Sequence, residues 1–330
     1  MLRQARKAAS RVLHCPVMGQ QHPSLPISHL KRDSVSEPTS SNRAWPIASL
    51  ALAGCFWGTG FLFGKITFAE MTVSENVGYR FIFGSLGLAP IFWKCPPAGL
   101  GRRALGLLLV ASIIGVPVQF LLQYKGLEAT TVSHASLIVG TLPILVALSS
   151  SLLLKEKLKA FEYGLMVASA CGAVLIATAK KVLAGPQPTT KGDLLVFLSM
   201  FAAMVMVLLS KHLMTEYGAL QFTAWMIGIG TVILLAWIEA THPMRFHFSF
   251  HVWLAVIAQG ILCTTAAFLL WNWGLARVPA AHAAIFLNLE PLVGTLLGVI
   301  ILNESLGALG ILGGALILIS AAYFSRPRAA

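Results

Sequence analysis

Residues 121–160 read LLQYKGLEATTVSHASLIVGTLPILVALSSSLLLKEKLKA, and residues 269–308 read LLWNWGLARVPAAHAAIFLNLEPLVGTLLGVIILNESLGA. Laid over one another without a gap, at an offset of 148, they share twelve identities in forty positions. Leu121-Leu122 falls on Leu269-Leu270, Gly126-Leu127 on Gly274-Leu275, and His134-Ala135 on His282-Ala283. Pro143 falls on Pro291 and Leu148 on Leu296, while Leu154, Glu156, Leu158 and Ala160 fall on Leu302, Glu304, Leu306 and Ala308. Apolar residues coincide often by chance. A histidine, a proline, a glycine and a glutamate sharing one offset do not. An internal repeat sets the architecture before any local reading, so the chain divides into two related halves, at 45–180 and 193–325.

The composition around these stretches names the solvent. Of 330 residues, 57% are hydrophobic and only 11% charged, where soluble domains carry about a quarter charged residues. Too little polar surface remains to cover a soluble core of this size, and disordered chains are poor in apolar residues. A polytopic membrane protein is left. A hydrocarbon core of about 30 Å takes about 20 apolar residues per helix. Ten runs are expected to supply them: 45–63, 77–93, 104–122, 134–154, 163–179, 194–209, 222–237, 253–270, 283–302 and 309–324. Each is continuous rather than alternating, which points to helices rather than barrel strands. The expected fold is an all-α integral membrane protein of ten transmembrane helices in two five-helix repeats. Five is odd, so the second repeat should enter the membrane inverted relative to the first.

Residues 1–44 are a different material, rich in Ser, Pro, Arg and Gln, and are expected to form a disordered cytoplasmic tail, with Met18 as an alternative start. They hold seven basic and two acidic residues, leaving seven of the twelve net positive charges to the apolar body. No polar basic domain is present to grip phosphates, so no nucleic-acid partner is expected. The body's cations lie between apolar runs and read as topology signals. With ten spans and the N-terminus inside, the inner loops hold Lys94, Arg102, Arg103, Lys155, Lys157, Lys159, Lys211, Arg277, Arg326 and Arg328. The outer loops hold Lys125, Lys180, Lys181, Lys191 and Arg245. Both termini are therefore expected in the cytoplasm.

Several motifs resemble the EamA family of the drug/metabolite transporter superfamily. They are Trp57-Gly58 with Lys65, Arg80-Phe81, Ala135-Ser136-Leu137 with Leu142-Pro143, Glu156-Lys157-Leu158, Gly192-Asp193-Leu194-Leu195, Leu289-Glu290-Pro291 and Asn303-Glu304-Ser305-Leu306. The resemblance covers about residues 45 to 325. It implies a central cavity lined by the first four spans of each repeat, with the fifth and tenth spans supporting from outside. It also implies export of a small metabolite or amino acid across a bacterial inner membrane, with proton coupling. The polar tail lies outside the family pattern.

Ionisable groups inside a membrane need a reason. Glu290 lies within a span, one residue before Pro291, which frees a backbone carbonyl. It reads either as a proton carrier or amine binder, or as a structural carboxylate. Its repeat counterpart is Leu142, next to Pro143, the other helix-breaking proline. Lys65 and Arg80 flank the first outer loop, either snorkelling to the interface or forming an anion-attracting rim. His134 and His282 begin equivalent spans and read as hydrogen-bonders or as proton switches. Asn272, Asn288, Gln119, Gln123 and Tyr124 could line a cavity or join helices. Trp57 and Trp271 would wall that cavity or face lipid. Gly60-x-x-x-Gly64 and Gly310-x-x-x-Gly314 read as helix contacts, the second as a seam for a homodimer.

No metal, cofactor or catalytic residue is expected. His242, His247 and His251 lack a nearby carboxylate. Glu156 and Glu304 fall on opposite sides and should each sit at the N-terminus of the next helix, where the dipole favours an acid. The leading function is therefore a secondary transporter working by alternating access on a small-molecule substrate in the lipid bilayer. A passive channel, or an intramembrane enzyme on lipid-linked substrates, is the alternative. The enzyme is disfavoured because Asp193 is the lone aspartate outside the tail.

Overall fold

The computed structural model describes residues 40–95, 102–130, 138–156, 158–179, 189–241, 243–302 and 308–326, without the side chains of 40–43, 61, 65, 177–179, 216, 298 and 302. Among the described residues the architecture is all-helical, with no strand. The first half holds α1 (Ser40–Thr67), α2 (Val73–Gly87), α3 (Ala89–Lys94) and α4 (Arg102–Ile113). A π-helical turn, Ile114–Val118, joins α4 to α5 (Gln119–Glu128), and α6 (Leu142–Leu153) and α7 (Ala160–Ala179) follow. The second half holds α8 (Thr190–Tyr217), α9 (Ala219–Thr241) and α10 (Phe250–Gln259), with a π-helical turn, Gly260–Ala266, leading into α11 (Ala267–Leu275). Then come α12 (Ala280–Ala284), a 3-10 turn (Ile285–Asn288), α13 (Leu289–Leu302) and α14 (Ala308–Phe324).

Among the described residues six helical stretches are long and apolar enough to cross a bilayer: Ala44–Gly64, Arg102–Glu128, Thr190–Thr215, Ala219–Thr241, Phe250–Leu275 and Ala280–Ile301. Leu142–Leu153, Ala160–Ile176 and Ala308–Phe324 are apolar but shorter. Large apolar side chains such as Leu152, Phe161, Val232 and Ile300 face outward with most of their surface exposed. An apolar exterior of this extent suits lipid rather than water.

The helix ends follow local chemistry. Thr72 caps α2 through a capping box with Glu75, which satisfies two end amides at once. Thr189 accepts the Gly192 amide at the start of α8 (3.1 Å). Glu162 accepts the Lys159 amide ahead of α7 (2.8 Å). Pro143 and Pro291 sit in the first turns of α6 and α13, where a missing amide costs no intrahelical bond.

Helices α7 and α14 pack against each other. A β-carbon on Gly172 would lie 2.5 Å from the Gly313 carbonyl oxygen, and the converse distance is 2.4 Å. Only glycine permits backbones this close. Ser320 on α14 also donates to the Leu165 carbonyl of α7 (3.0 Å). Two glycine readings are corrected here. Gly314 faces Leu292 of α13 and Gly310 is buried, so that pair is spent inside the chain rather than on a dimer seam. Gly60 and Gly64 open onto the cavity described next, so there they widen a space rather than join helices.

Candidate functional site

Two π-helical turns sit at equivalent places in the halves. Ile114–Val118, moved by the repeat offset, falls on 262–266, within Gly260–Ala266. A π turn widens the helix and disturbs its carbonyl–amide pairing, and such turns gather at functional sites. In the first, Pro117 has no amide to give. In the second, the Cys263 carbonyl turns outward and accepts from Trp57 Nε1 (2.9 Å) and Arg80 Nη2 (3.1 Å).

Those two donors stand on the wall of a partly open cavity of about 330 Å³ between the halves. Four pairs of lining residues are 148 apart: Phe120 and Phe268, Gln123 and Trp271, Val139 and Leu287, Leu142 and Glu290. Equivalent positions of both repeats therefore face one space. Trp57 packs on Phe268 and Trp271, each at 5.5 Å between ring centroids, and forms an aromatic floor. From there the cavity runs to Phe68, Leu127 and Val196. Neither α7 nor α14 reaches it; they brace it from outside.

The sequence candidates separate by position. Trp57, Arg80, Gln119, Gln123, Tyr124, Trp271, Asn288, Glu290 and Pro291 all line the cavity. Asn288 also donates to Ser169 on α7 (2.9 Å), so its amide joins helices. Asn272 is fully buried away from the cavity and donates to Thr223 of α9 (2.9 Å). His282 lies 3.9 Å from the Glu162 carboxylate and against the Phe324 ring, outside the cavity lining. Pro143 starts α6 beside the lining residue Leu142. His134 and the Lys65 side chain lie outside the described residues.

Arg80 corrects the expectation of a snorkelling cation. It is 4% exposed. Its guanidinium donates to Thr264 (3.0 Å), Tyr124 (3.3 Å) and the Cys263 carbonyl, and lies 5.0 Å from the Phe120 ring centroid. The cost of burying the charge is offset by these acceptors and by the ring face. Opposite it, Glu290 takes part in no hydrogen bond or ion pair among the described residues, although the Arg80 charge reaches it through space. Gln119 and Gln123 are likewise uncommitted. Among the described residues the site thus holds one secured cation, one open carboxylate and two open amides amid aromatic and aliphatic walls.

The cavity's two ends differ. The upper end carries the C-terminal ends of α1, α5 and α9. There Glu75, just ahead of the second apolar run, pairs with Arg245 from the second half (2.7 Å) and accepts from Thr72. The Arg245 guanidinium holds the Glu75 carboxyl down to about 2 despite its burial. The same contact raises Arg245. Nearby, Ser249 lowers the Glu70 carboxyl, through its side chain first and then through its amide, which donates to Glu70 (2.7 Å). The lower end carries the C-terminal ends of α6 and α11. Glu156 there accepts the amides of Ala280 (2.8 Å) and Ala281 (3.2 Å). The expectation that it caps the next helix is corrected: it caps α12 of the other half, and Glu162 takes the role at α7. Glu304 lies outside the described residues.

Sequence reading missed Phe120, Phe268, Met200 and Met206 of the lining, and the contact of Glu156 with the start of α12. Phe120 and Phe268 were findable, because they stand at the repeat offset one residue before the matched stretches.

A family model described as the EamA-like transporter family matches residues 44–178 and 190–326. An uncharacterized transporter of Archaeoglobus fulgidus is 26% identical over 283 residues, covering 84% of this chain and 95% of that protein. The uncharacterized transporter YetK of Bacillus subtilis is 28% identical over 269 residues, 78% and 79% of the two chains. A solved crystal structure at 20% identity superposes with a TM-score of 0.72 over 85% of this chain and 96% of its own, so the fold is shared.

Proposed function

The chain belongs to the EamA-like transporter family and is a membrane transporter, and we propose that it exports a small metabolite or amino acid by alternating access. In this reading ten spans form two inverted five-helix halves: α1, α2 with α3, α4 with α5, α6 and α7, then α8, α9, α10 with α11, α12 with α13, and α14. The observation that carries it is the cavity whose walls come from repeat-equivalent residues and which contains the open carboxylate of Glu290. Two related halves can exchange roles around such a site. An acid in a membrane interior without a partner is a place to bind a proton or an amine. Arg80 fixes the wall and sets the local field, while Gln119, Gln123 and Tyr124 supply orienting groups. The cation-rich lower end (Lys155, Lys159, Lys211, Arg277) would face the cytoplasm of a bacterial inner membrane, with both termini there.

Proteoliposomes loaded with pooled metabolites test the reading. An imposed pH gradient should drive efflux of at least one solute, and Glu290→Gln should cut that flux about tenfold or more, equivalent to about 1.4 kcal/mol, while leaving the protein monodisperse. No flux of any solute, or full flux in Glu290→Gln, would contradict the reading.

A further inference from the structure

We infer that the lower end is a gate latched by Glu156, whose carboxylate releases the start of α12 when that end opens. This rests on the transporter reading above.

The latch is built around one short connection, Ala276–Pro279, between α11 and α12. Its two sides are held by opposite charges. The Lys211 ammonium, from α8, donates to the Leu275 carbonyl (2.7 Å) and to the Val278 carbonyl. A cation belongs where helix carbonyls are left over. The Glu156 carboxylate accepts the two amides that open α12, where an anion belongs. Lys211 and the connection are both in the second half, so that contact stiffens a local turn. Glu156 is in the first half, so its contact joins the halves. The Glu156 charge also acts on Lys211.

The backbone is bent to make this possible. Lys155 has φ 55, the one positive φ at a non-glycine among the described residues. Side chains disfavour that region, and such strain collects at switching sites. It ends α6 and turns Glu156 back, with its amide on the Ser150 carbonyl (3.3 Å). A run meant only to leave a helix could have used glycine at lower cost.

Below the aromatic floor the other charge contact between the halves among the described residues is a longer one, the Glu162 carboxylate of α7 at 3.9 Å from His282 of α12. Leu275, Ala280 and Ala281 are fully buried. A β-carbon on Gly274 would meet Ser49 Oγ at 2.6 Å and the Pro46 carbonyl at 2.9 Å, so α1 presses on the end of α11. Opening must separate these surfaces. On release, both the carboxylate and the amides regain water. The net difference between latched and open is therefore small compared with the gross strength of the bonds, as a two-state element requires.

The test uses Ala281→Cys in the full chain, reacted with a bulky hydrophilic maleimide, with labelling read at that residue by mass spectrometry so that native cysteines can stay. Glu156→Gln, which keeps the size of the side chain, should speed labelling about tenfold, since losing charge-assisted bonds shifts the population by that order. Glu156→Asp should stay nearer the parent, and Lys211→Met should accelerate labelling less than Glu156→Gln. Ala255→Cys, buried in α10 towards the upper end, is the control. Labelling at 281 that stays within about twofold in Glu156→Gln would overturn the latch, and so would equal acceleration at 255, which signals general loosening. No substrate is needed. Faster labelling at 281 without flux of any solute would leave the latch standing and remove the transporter reading, while flux with unchanged labelling would do the reverse.

Discussion

Glu75 and Glu156 each tie the first half of the chain to the second, at opposite ends of one cavity, by different chemistry. Glu75 meets a full counter-charge, Arg245, and is held as well by its own capping box. Arg245 is 58% exposed, so water shares the pair and the clasp sits at the periphery. Glu156 meets two backbone amides and no side-chain cation within ion-pair distance among the described residues. Its contact lies under the cavity floor. The first arrangement behaves as a strut, anchored locally whatever the other half does. The second holds only while the other half stays in place.

The largest effect should come from the helix between the two ends. A β-carbon on Gly58 of α1 would lie 2.6 Å from Val293 Cβ and 2.8 Å from the Glu290 carbonyl oxygen. Gly58→Leu forces α13 away, and overpacking of this kind costs about 3 kcal/mol. Size-exclusion profiles and melting curves in detergent should show loss of folded protein; an unchanged melt would show that α1 and α13 are not so closely pressed.

The strut should matter less. Glu75→Ala removes a cap and an ion pair and should cost about 2 kcal/mol, while labelling at Ala281→Cys stays at the parental rate. Acceleration there would mean that the ends are not independent. The pH dependence has a definite sign. The Glu75 carboxyl is lowered to about 2 from its ordinary 4.5, so its stabilisation is complete above about 4.5 and is lost as the pH falls towards 2. The melting temperature should drop through that window, and Glu75→Gln should flatten the drop.

The smallest effect belongs to the strained turn. Lys155→Gly relieves a positive φ but frees the unfolded chain, two terms of about 1 kcal/mol that oppose each other. Stability should move by less than about 1 kcal/mol, measured by melting, while Glu156 keeps its contact. A loss of several kcal/mol would mean that the Lys155 side chain, not its backbone, holds the turn.

Much of this was legible in the sequence. The repeat at 121–160 and 269–308 pointed to two halves, and three of the four repeat-related pairs on the cavity wall lie in those stretches, with Phe120 and Phe268 one residue ahead of them. Glu290, Gln119, Gln123 and Tyr124, each readable from the sequence as a site group or as a structural one, all stand on the cavity wall. Depth misled for Arg80. Its distance from the end of an apolar run argued for the interface, whereas Thr264, Tyr124 and the carbonyl turned out by the second π turn give it acceptors inside. Pro117 marks the first π turn, but no residue in Gly260–Ala266 announces the second. Asn272 shows why polarity alone cannot assign a face: a rotation of one residue along the helix separates a cavity wall from a contact with Thr223. Glu156 was read against its neighbour in sequence, but its partners lie 124 and 125 residues away. A helix dipole says where an acid is welcome, not which helix will receive it.

The central claim, that the lower end opens and closes around a fixed cavity, is tested most directly by a distance. Spin labels at Lys159→Cys and Ala276→Cys, both exposed at the lower end on opposite halves, report the separation by pulsed electron resonance in a chain whose other cysteines are replaced. Two populations are expected, with Glu156→Gln moving weight to the longer one. A single narrow distribution, identical with and without Glu156, would contradict the account.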